Sequence, residues 1–260
     1  MDTSPTYSDL LIEPNSQVKY RLSLPAPDKP KQLLILLHGV GSNETHVQQL
    51  AQGAPPNTLV ILCQGPLQLG AEQFAWFRVK FTPEGPKIDE QETVKARLLL
   101  TAFVSHIQKQ FKLLANKTIV AGFSQGGIMS ASLALCSPEC IKGFAILSGR
   151  ILPELSAHMA SEPQLKHLQA FIGHGQFDQI LEPLWAEKSH ALLEKLHIFH
   201  TYRTYTIAHE VSPAMRDDFI HWLLECFNQG LSKATPTKER PQTKASCALG
   251  LRSSKPLATK

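Results

Sequence analysis

The chain lacks any apolar run long enough to cross a membrane: its longest, such as Leu33 to Leu37, are strand-sized, far short of the roughly 20 residues a span requires. Its first residues, Met1-Asp2-Thr3-Ser4-Pro5, carry no basic segment followed by an apolar one, so no secretory signal is read there. Cysteine pairing is missing as well. Cys63, Cys136, Cys140, Cys226 and Cys247 form no C-x-x-C pair and leave one over, and most stand among apolar residues, which leads to an expectation of reduced thiols in the cytoplasm. No His, Cys or Asp spacing of the ligand type occurs, so no metal site is expected. No internal repeat is found.

Negative charge is nearly absent from the end of the chain. Residues 231–260 hold seven Lys or Arg against one Glu, so this stretch carries +6 and the preceding 230 residues −2. The basic balance therefore belongs to the tail and says little about the partners of the body, for which no nucleic acid is expected. With Ser, Thr, Pro and Lys and almost no large apolar residues, 230–260 reads as a basic disordered tail without a part in catalysis.

What remains is rich in core-forming residues, 43% hydrophobic over 260 positions, ample for one sizeable domain. Residues 1–16 read as a loose lead-in and 17–229 as one α/β domain. Gln17 to Leu24 alternates as a half-exposed strand, and the unbroken Leu33–Leu37 reads as a central strand buried on both faces. A helix is expected over about 44–51, a strand over 59–63, then a long irregular loop from Gly65 to Pro86 holding Phe74, Trp76, Phe77 and Phe81. Those aromatics either plug the edge of the core or wall an apolar substrate pocket, and Trp76 and Phe77 are the substrate-binding candidates. A long helical pattern covers 88–114, and strands over 118–121, 142–147, 168–172 and 200–207 alternate with helices over 128–135, 182–196 and 213–229, with a loop over 151–166. This alternation predicts a mostly parallel central sheet covered by helices on both faces, three layers α/β/α, with no segment long enough for a separate cap domain.

The chemistry centres on Gly122-Phe123-Ser124-Gln125-Gly126, a G-x-S-x-G pentapeptide placed between a strand and a helix. By itself the pattern is common; in that position it is the nucleophile elbow. The glycines on either side let strand and helix pass closely, and the first N–H of the helix, that of Gln125, is a natural oxyanion donor. A serine hydroxyl needs a base and the base an orienting acid. Catalytic groups of a parallel sheet emerge at strand carboxyl ends, and Ser124, Asp178 and His209 follow three separate strands in the order Ser, Asp, His. Of the competing acids beyond the elbow most lie on expected helices or the loops between them, and of the other histidines only His174 also sits just past a strand. It precedes the acid and reads as a turn-stabilising polar residue, as His38 reads as a structural residue of the His38-Gly39-Val40-Gly41 loop.

Together His38-Gly39-Val40-Gly41, Ala75-Trp76-Phe77, Gly122-Phe123-Ser124-Gln125-Gly126-Gly127, His174-Gly175-Gln176-Phe177-Asp178 and His209-Glu210-Val211-Ser212 resemble the phospholipase/carboxylesterase family of α/β hydrolases, which includes acyl-protein thioesterases and small bacterial carboxylesterases. The resemblance covers about residues 17–228. It implies a cofactor-independent α/β-hydrolase fold enzyme acting on a small-molecule ester or thioester, with the triad on Ser124, Asp178 and His209 and oxyanion N–H groups from Val40 and Gln125. Two departures stand out: Phe177 and Gln179 to Pro183 replace a small residue and a Pro-Val-Val-Pro run around the acid, and Ala208 replaces the usual glycine before the histidine. A loop-walled pocket should be shallow, which leads to an expectation of carboxylic esters with short to medium acyl chains, the alternatives being a protein thioesterase or lysophospholipase and, from another class, a non-catalytic binding module.

Overall fold

The computed structural model describes residues 6–82 and 85–228. Two short strands, β1 (Thr6–Tyr7) and β2 (Leu11–Ile12), precede β3 (Lys19–Leu24) and β4 (Gln32–Leu37). A 3-10 helix over Glu44–Ala51 leads to β5 (Thr58–Gln64), and two hairpins follow, β6 (Leu67–Gly70) with β7 (Gln73–Ala75) and β8 (Val79–Thr82) with β9 (Gly85–Ile88). Then come α1 (Glu90–Phe111), β10 (Thr118–Phe123), α2 (Gln125–Cys136), β11 (Gly143–Leu147), α3 (Glu162–Leu165), β12 (Gln169–Gly175), α4 (Pro183–Lys195), β13 (Phe199–Tyr205) and α5 (Pro213–Asn228).

The main sheet has the order β1-β3-β5-β4-β10-β11-β12-β13, with β2 also on β3. From β5 to β13 all neighbours are parallel, and β3 joins antiparallel at one side. The unbroken apolar run of β4 is explained by its place in the middle. Leu33, Ile35 and Leu37 point into a core shared with α1, α2 and α4, while Leu34 and Leu36 point into a second core under α5 and the 3-10 helix. All five are fully buried, each worth about 1.5–3 kcal/mol relative to an exposed position. This is the expected three-layer α/β/α arrangement, and no separate cap domain stands over the sheet among the described residues.

Three local expectations are corrected, and the helix expected over 44–51 is found with those bounds as a 3-10 helix. Residues 6–16 are not a loose lead-in: β1 and β2 pair with β3, and the carboxylate of the buried Glu13 accepts the backbone N–H groups of Asn15 (2.9 Å) and Ser16 (2.5 Å). Two-residue strands are too short to show alternation. The stretch from Gly65 to Pro86 is not irregular, since its two hairpins account for most of it. The 3-10 helix is capped by Asn43, whose side-chain oxygen accepts the Thr45 N–H at 3.0 Å. The loop over 151–166 contains a 3-10 turn over Pro153–Ala157 and the one-turn α3. The tail over 230–260, with Cys247, lies outside the described residues.

Candidate active site

Ser124 sits between β10 and α2 with φ 53° and ψ −117°, in a region of backbone space that L-residues rarely occupy. The strain is held by close packing that only glycine permits. A Cβ on Gly122 would lie 2.2 Å from the carbonyl carbon of Gly126, and one on Gly126 would lie 2.1 Å from the Leu37 carbonyl oxygen. The Ser124 N–H donates to Leu147 O at 2.8 Å, which ties the elbow to the end of β11. The hydroxyl is thereby presented above the carboxyl ends of the parallel strands.

Asp178 and His209 reach it from the ends of β12 and β13. His209 Nε2 lies 2.9 Å from Ser124 Oγ, and His209 Nδ1 lies 2.7 Å from Asp178 Oδ2. Because a carboxylate only accepts, Nδ1 carries the proton and Nε2 is free to take the serine's. The fully buried Asp178 carboxylate is fixed on its other oxygen, Oδ1, by the N–H groups of Ile180 (2.9 Å) and Leu181 (2.8 Å). His174 is beside it, Nε2 donating to Leu181 O at 2.7 Å and standing 3.3 Å from Asp178 Oδ2. Burial lowers the His174 pKa, against the pull of the Leu181 carbonyl and of Asp178, so the ring stays neutral and holds the Asp178 turn. The Phe123 ring packs against His209 with centroids 5.0 Å apart.

The expected oxyanion donors flank the same space. Gln125 is the first residue of α2, so its N–H has no acceptor within the helix. No acceptor among the described residues takes the Val40 N–H, whereas the next one, of Gly41, donates to Phe74 O at 2.9 Å. Gly39 passes close to the elbow, its notional Cβ 3.3 Å from Ser124 Cβ. The loop is ordered by His38, whose Nε2 accepts the Gly65 N–H (2.8 Å) and whose Nδ1 therefore carries the hydrogen and donates to Gly39 O (2.7 Å). Burial pushes the His38 imidazole down to about 4, the Gly39 carbonyl and Glu44 pulling the other way.

Val40, Phe77, Phe123, Ser124, Gln125 and His209 border one cavity of about 240 Å³, completed by Val79 and Ile88 from the second hairpin, Ile128, Arg150, Ile180 and Leu181. Phe77 is thus on the wall, but Trp76 is not. Only 1% exposed, Trp76 lies behind the wall, its indole Nε1–H donating to His38 O at 3.0 Å. The Gln125 side chain clamps this layer to α2, accepting the Trp76 N–H (2.8 Å) and donating to Phe77 O (2.7 Å). An indole needs a partner for its N–H when buried, and the loop carbonyl supplies it.

Three participants escaped sequence reasoning: the Gln125 side chain, Ser148 and Arg150. Ser148 has φ 48°, donates its N–H to Gly173 O at 2.8 Å and its hydroxyl to Glu210 O at 3.1 Å, which anchors the loop that carries His209. For Ser148 and Arg150 the only signal was position, Ser148-Gly149-Arg150 directly after a strand. Among the described residues no group of three or more His, Cys, Asp or Glu side chains is arranged to hold a metal ion.

A parallel sheet bearing a strained serine at a strand-to-helix corner, with an acid and a histidine on later strands, defines an α/β-hydrolase fold. The sequence profile described as Phospholipase/Carboxylesterase matches residues 24–226, and the chain belongs to that family. Esterase YpfH of Escherichia coli (strain K12) is 32% identical over 139 residues, which are 51% of this chain and 59% of that protein, so the match spans little more than half of its length. Acyl-protein thioesterase 1 of Mycosarcoma maydis is 25% identical over 218 residues, covering 74% of this chain and 87% of that one. The crystal structure of the Bacillus cereus carboxylesterase shares the fold, with TM-score 0.71 and 23% identity over 82% of this chain and 96% of that one. No helix among the described residues is long and apolar enough to cross a membrane.

Proposed function

We propose that this chain is a carboxylic ester hydrolase in which Ser124 is the nucleophile, His209 the general base and Asp178 the acid that orients it. The observation that carries the reading is the unbroken hydrogen-bonded line from Asp178 Oδ2 through His209 to Ser124 Oγ, at 2.7 and 2.9 Å. His209 Nε2 takes the Ser124 proton as Oγ attacks the ester carbonyl; Asp178 stabilises the imidazolium; the N–H groups of Val40 and Gln125 receive the developing oxyanion, each contributing about 3 kcal/mol. The proton then passes to the leaving alkoxide, and water activated by the same histidine releases the acid from the acyl-enzyme.

The cavity supports short to medium acyl chains. Its volume of about 240 Å³ lies below the roughly 300–1,000 Å³ of most ligand pockets, so gains of about 0.8 kcal/mol per buried CH₂ end after a few carbons. The four described cysteines are unpaired, which favours a reducing, cytoplasmic setting. The test is a chromogenic ester series of increasing acyl length together with a fluorophosphonate probe. The probe should label wild type and not Ser124→Ala, which should lose about 10⁶-fold in kcat, and kcat/KM should level off at a short chain. Labelling that persists in Ser124→Ala would remove the nucleophile assignment, absent labelling and hydrolysis in wild type would favour a non-catalytic module, and a rise continuing to palmitoyl thioesters would favour a protein thioesterase.

A further inference from the structure

One charged group in the cavity is left without the acceptor its chemistry demands. Arg150 borders the same space as Ser124 and His209, is only 4% exposed, and its Nε has no hydrogen-bond partner. Its guanidinium carbon stands 4.2 Å from the centroid of the Trp185 ring on α4. Stacking occupies the face of the guanidinium and leaves the donors in its plane free to pair, the buried Nε among them without any partner. No residue among those described forms an ion pair or a hydrogen bond with these donors; Glu154 influences the group only at longer range. Arginine stays protonated wherever the protein folds, and a buried cation without an acceptor is strongly unfavourable.

The backbone that carries Arg150 is also fixed relative to the reacting atoms. A Cβ on Gly149 would lie 2.9 Å from the Ser124 carbonyl oxygen and 3.3 Å from Gly127 Cα, so the backbone entering Arg150 runs against the elbow itself. Ser148, two residues before Arg150, is bonded to Gly173 O and Glu210 O, and Ile151 N–H donates to Ser189 Oγ at 2.9 Å. The rest of the wall is mostly apolar, with Phe77, Val79, Ile88, Phe123, Ile128 and Leu181, and in such a setting a charge-assisted pair is strong.

From this arrangement we propose that Arg150 is a specificity residue and that the preferred ester carries a carboxylate a few bonds from its scissile carbonyl, paired with the Arg150 guanidinium. The proposal rests on the esterase reading of Ser124 and names its substrate class. A carboxylate matches the planar fork in two parallel hydrogen bonds, and it is small enough for a cavity of about 240 Å³ that must also hold the ester.

Two matched substrate pairs test it on the full chain: 4-nitrophenyl butyrate against mono-4-nitrophenyl glutarate, with the charge on the acyl side, and methyl 4-acetoxybenzoate against 4-acetoxybenzoate, with the charge on the alcohol side. Wild type should favour the charged member of one pair about tenfold or more in kcat/KM, and the pair concerned places the carboxylate. In Arg150→Gln that charged-to-neutral ratio should fall about 30-fold, the range for hydrogen bonds to charged groups, mainly through KM. Free glutarate should compete less well against the same variant. Arg150→Lys, which keeps the charge and loses the fork, should fall between; if the glutamine variant does not fold, the wild-type preference and its reduction in Arg150→Lys decide. Hydrolysis of neutral esters with no charged preference in either pair, or an unchanged ratio in the variants, overturns the Arg150 proposal and leaves the esterase intact. Hydrolysis of no ester at all overturns the esterase reading first, and this one with it.

Discussion

The floor of the cavity and its wall are built on different principles. On the floor, Ser124, Asp178 and His209 each follow a strand of one parallel sheet, and every side-chain polar atom of the trio is tied to another group. On the wall, Phe77, Val79 and Ile88 come from two hairpins outside that sheet, held by the Gln125 clamp and by Trp76 behind them, and Arg150 is left with unused donors. The strand ends belong to one nine-stranded ladder, whereas each wall hairpin is a separate two-stranded sheet. Inserted hairpins fix only a surface. On the reading proposed above, reaction type resides in the floor and substrate choice in the wall, a division usual where loops carry specificity on a rigid scaffold.

The sharpest break of this comparison is Asp178→Asn, a floor substitution that preserves shape. With Oδ1 still accepting from Ile180 and Leu181, the new amide must face His209, whose Nδ1 would then have to accept, leaving Nε2 protonated toward Ser124. A fall of about 10⁴-fold in kcat with an unchanged melting temperature is expected; activity near wild type would move the acid to another residue, Glu182 first.

Trp76→Ala should act on the wall from behind. Losing a fully buried indole and its bond to His38 O costs about 3–5 kcal/mol, a drop of roughly 10 °C in Tm, while hydrolysis of acetyl esters by the folded protein persists. A thermal melt indistinguishable from wild type would show that Trp76 is not the support described above.

Acid should destabilise the fold through His38, which orders the loop carrying Val40. Its folded-state pKa of about 4 lies below the ordinary 6.5, so between these values the unfolded chain binds more protons. Stability is therefore complete above about pH 6.5 and falls as pH drops toward 4, by up to about 3 kcal/mol at about 1.4 kcal/mol per unit. Urea unfolding at pH 7, 5.5 and 4.5 measures the slope, which His38→Gln should flatten; equal slopes would assign the acid loss elsewhere. The smallest effect belongs to Ile180→Ala at the rim, where a half-exposed side chain borders the cavity. It should reduce the butyryl-to-acetyl preference by about five- to tenfold with Tm hardly moved, consistent with one or two lost methylene contacts. If the preference is unchanged, the acyl chain lies along another part of the wall.

The sequence by itself determined the sheet and the elbow. Leu33 to Leu37 had to be central because an unbroken apolar run can be buried only on both faces, and Gly122 and Gly126 bracket a serine because no Cβ fits where strand and helix cross. It also put the three candidate residues after three separate strands, since apolar runs punctuated by polar turns are a local signal. Tertiary structure alone decided which aromatic faces the substrate space and which stands behind it: Trp76 and Phe77 are adjacent and chemically alike, and only the carbonyl of His38, 38 residues away in the chain, selects Trp76 for the inside. It alone paired β1 and β2 with β3, strands too short to carry a period. Arg150, likewise, reads in sequence as one more cation after a strand; its isolation above the elbow arises from Trp185 on a helix 35 residues further on. Burial and pairing are sums over contacts distant in sequence, whereas periodicity and glycine placement are local, and that is where the two kinds of information divide.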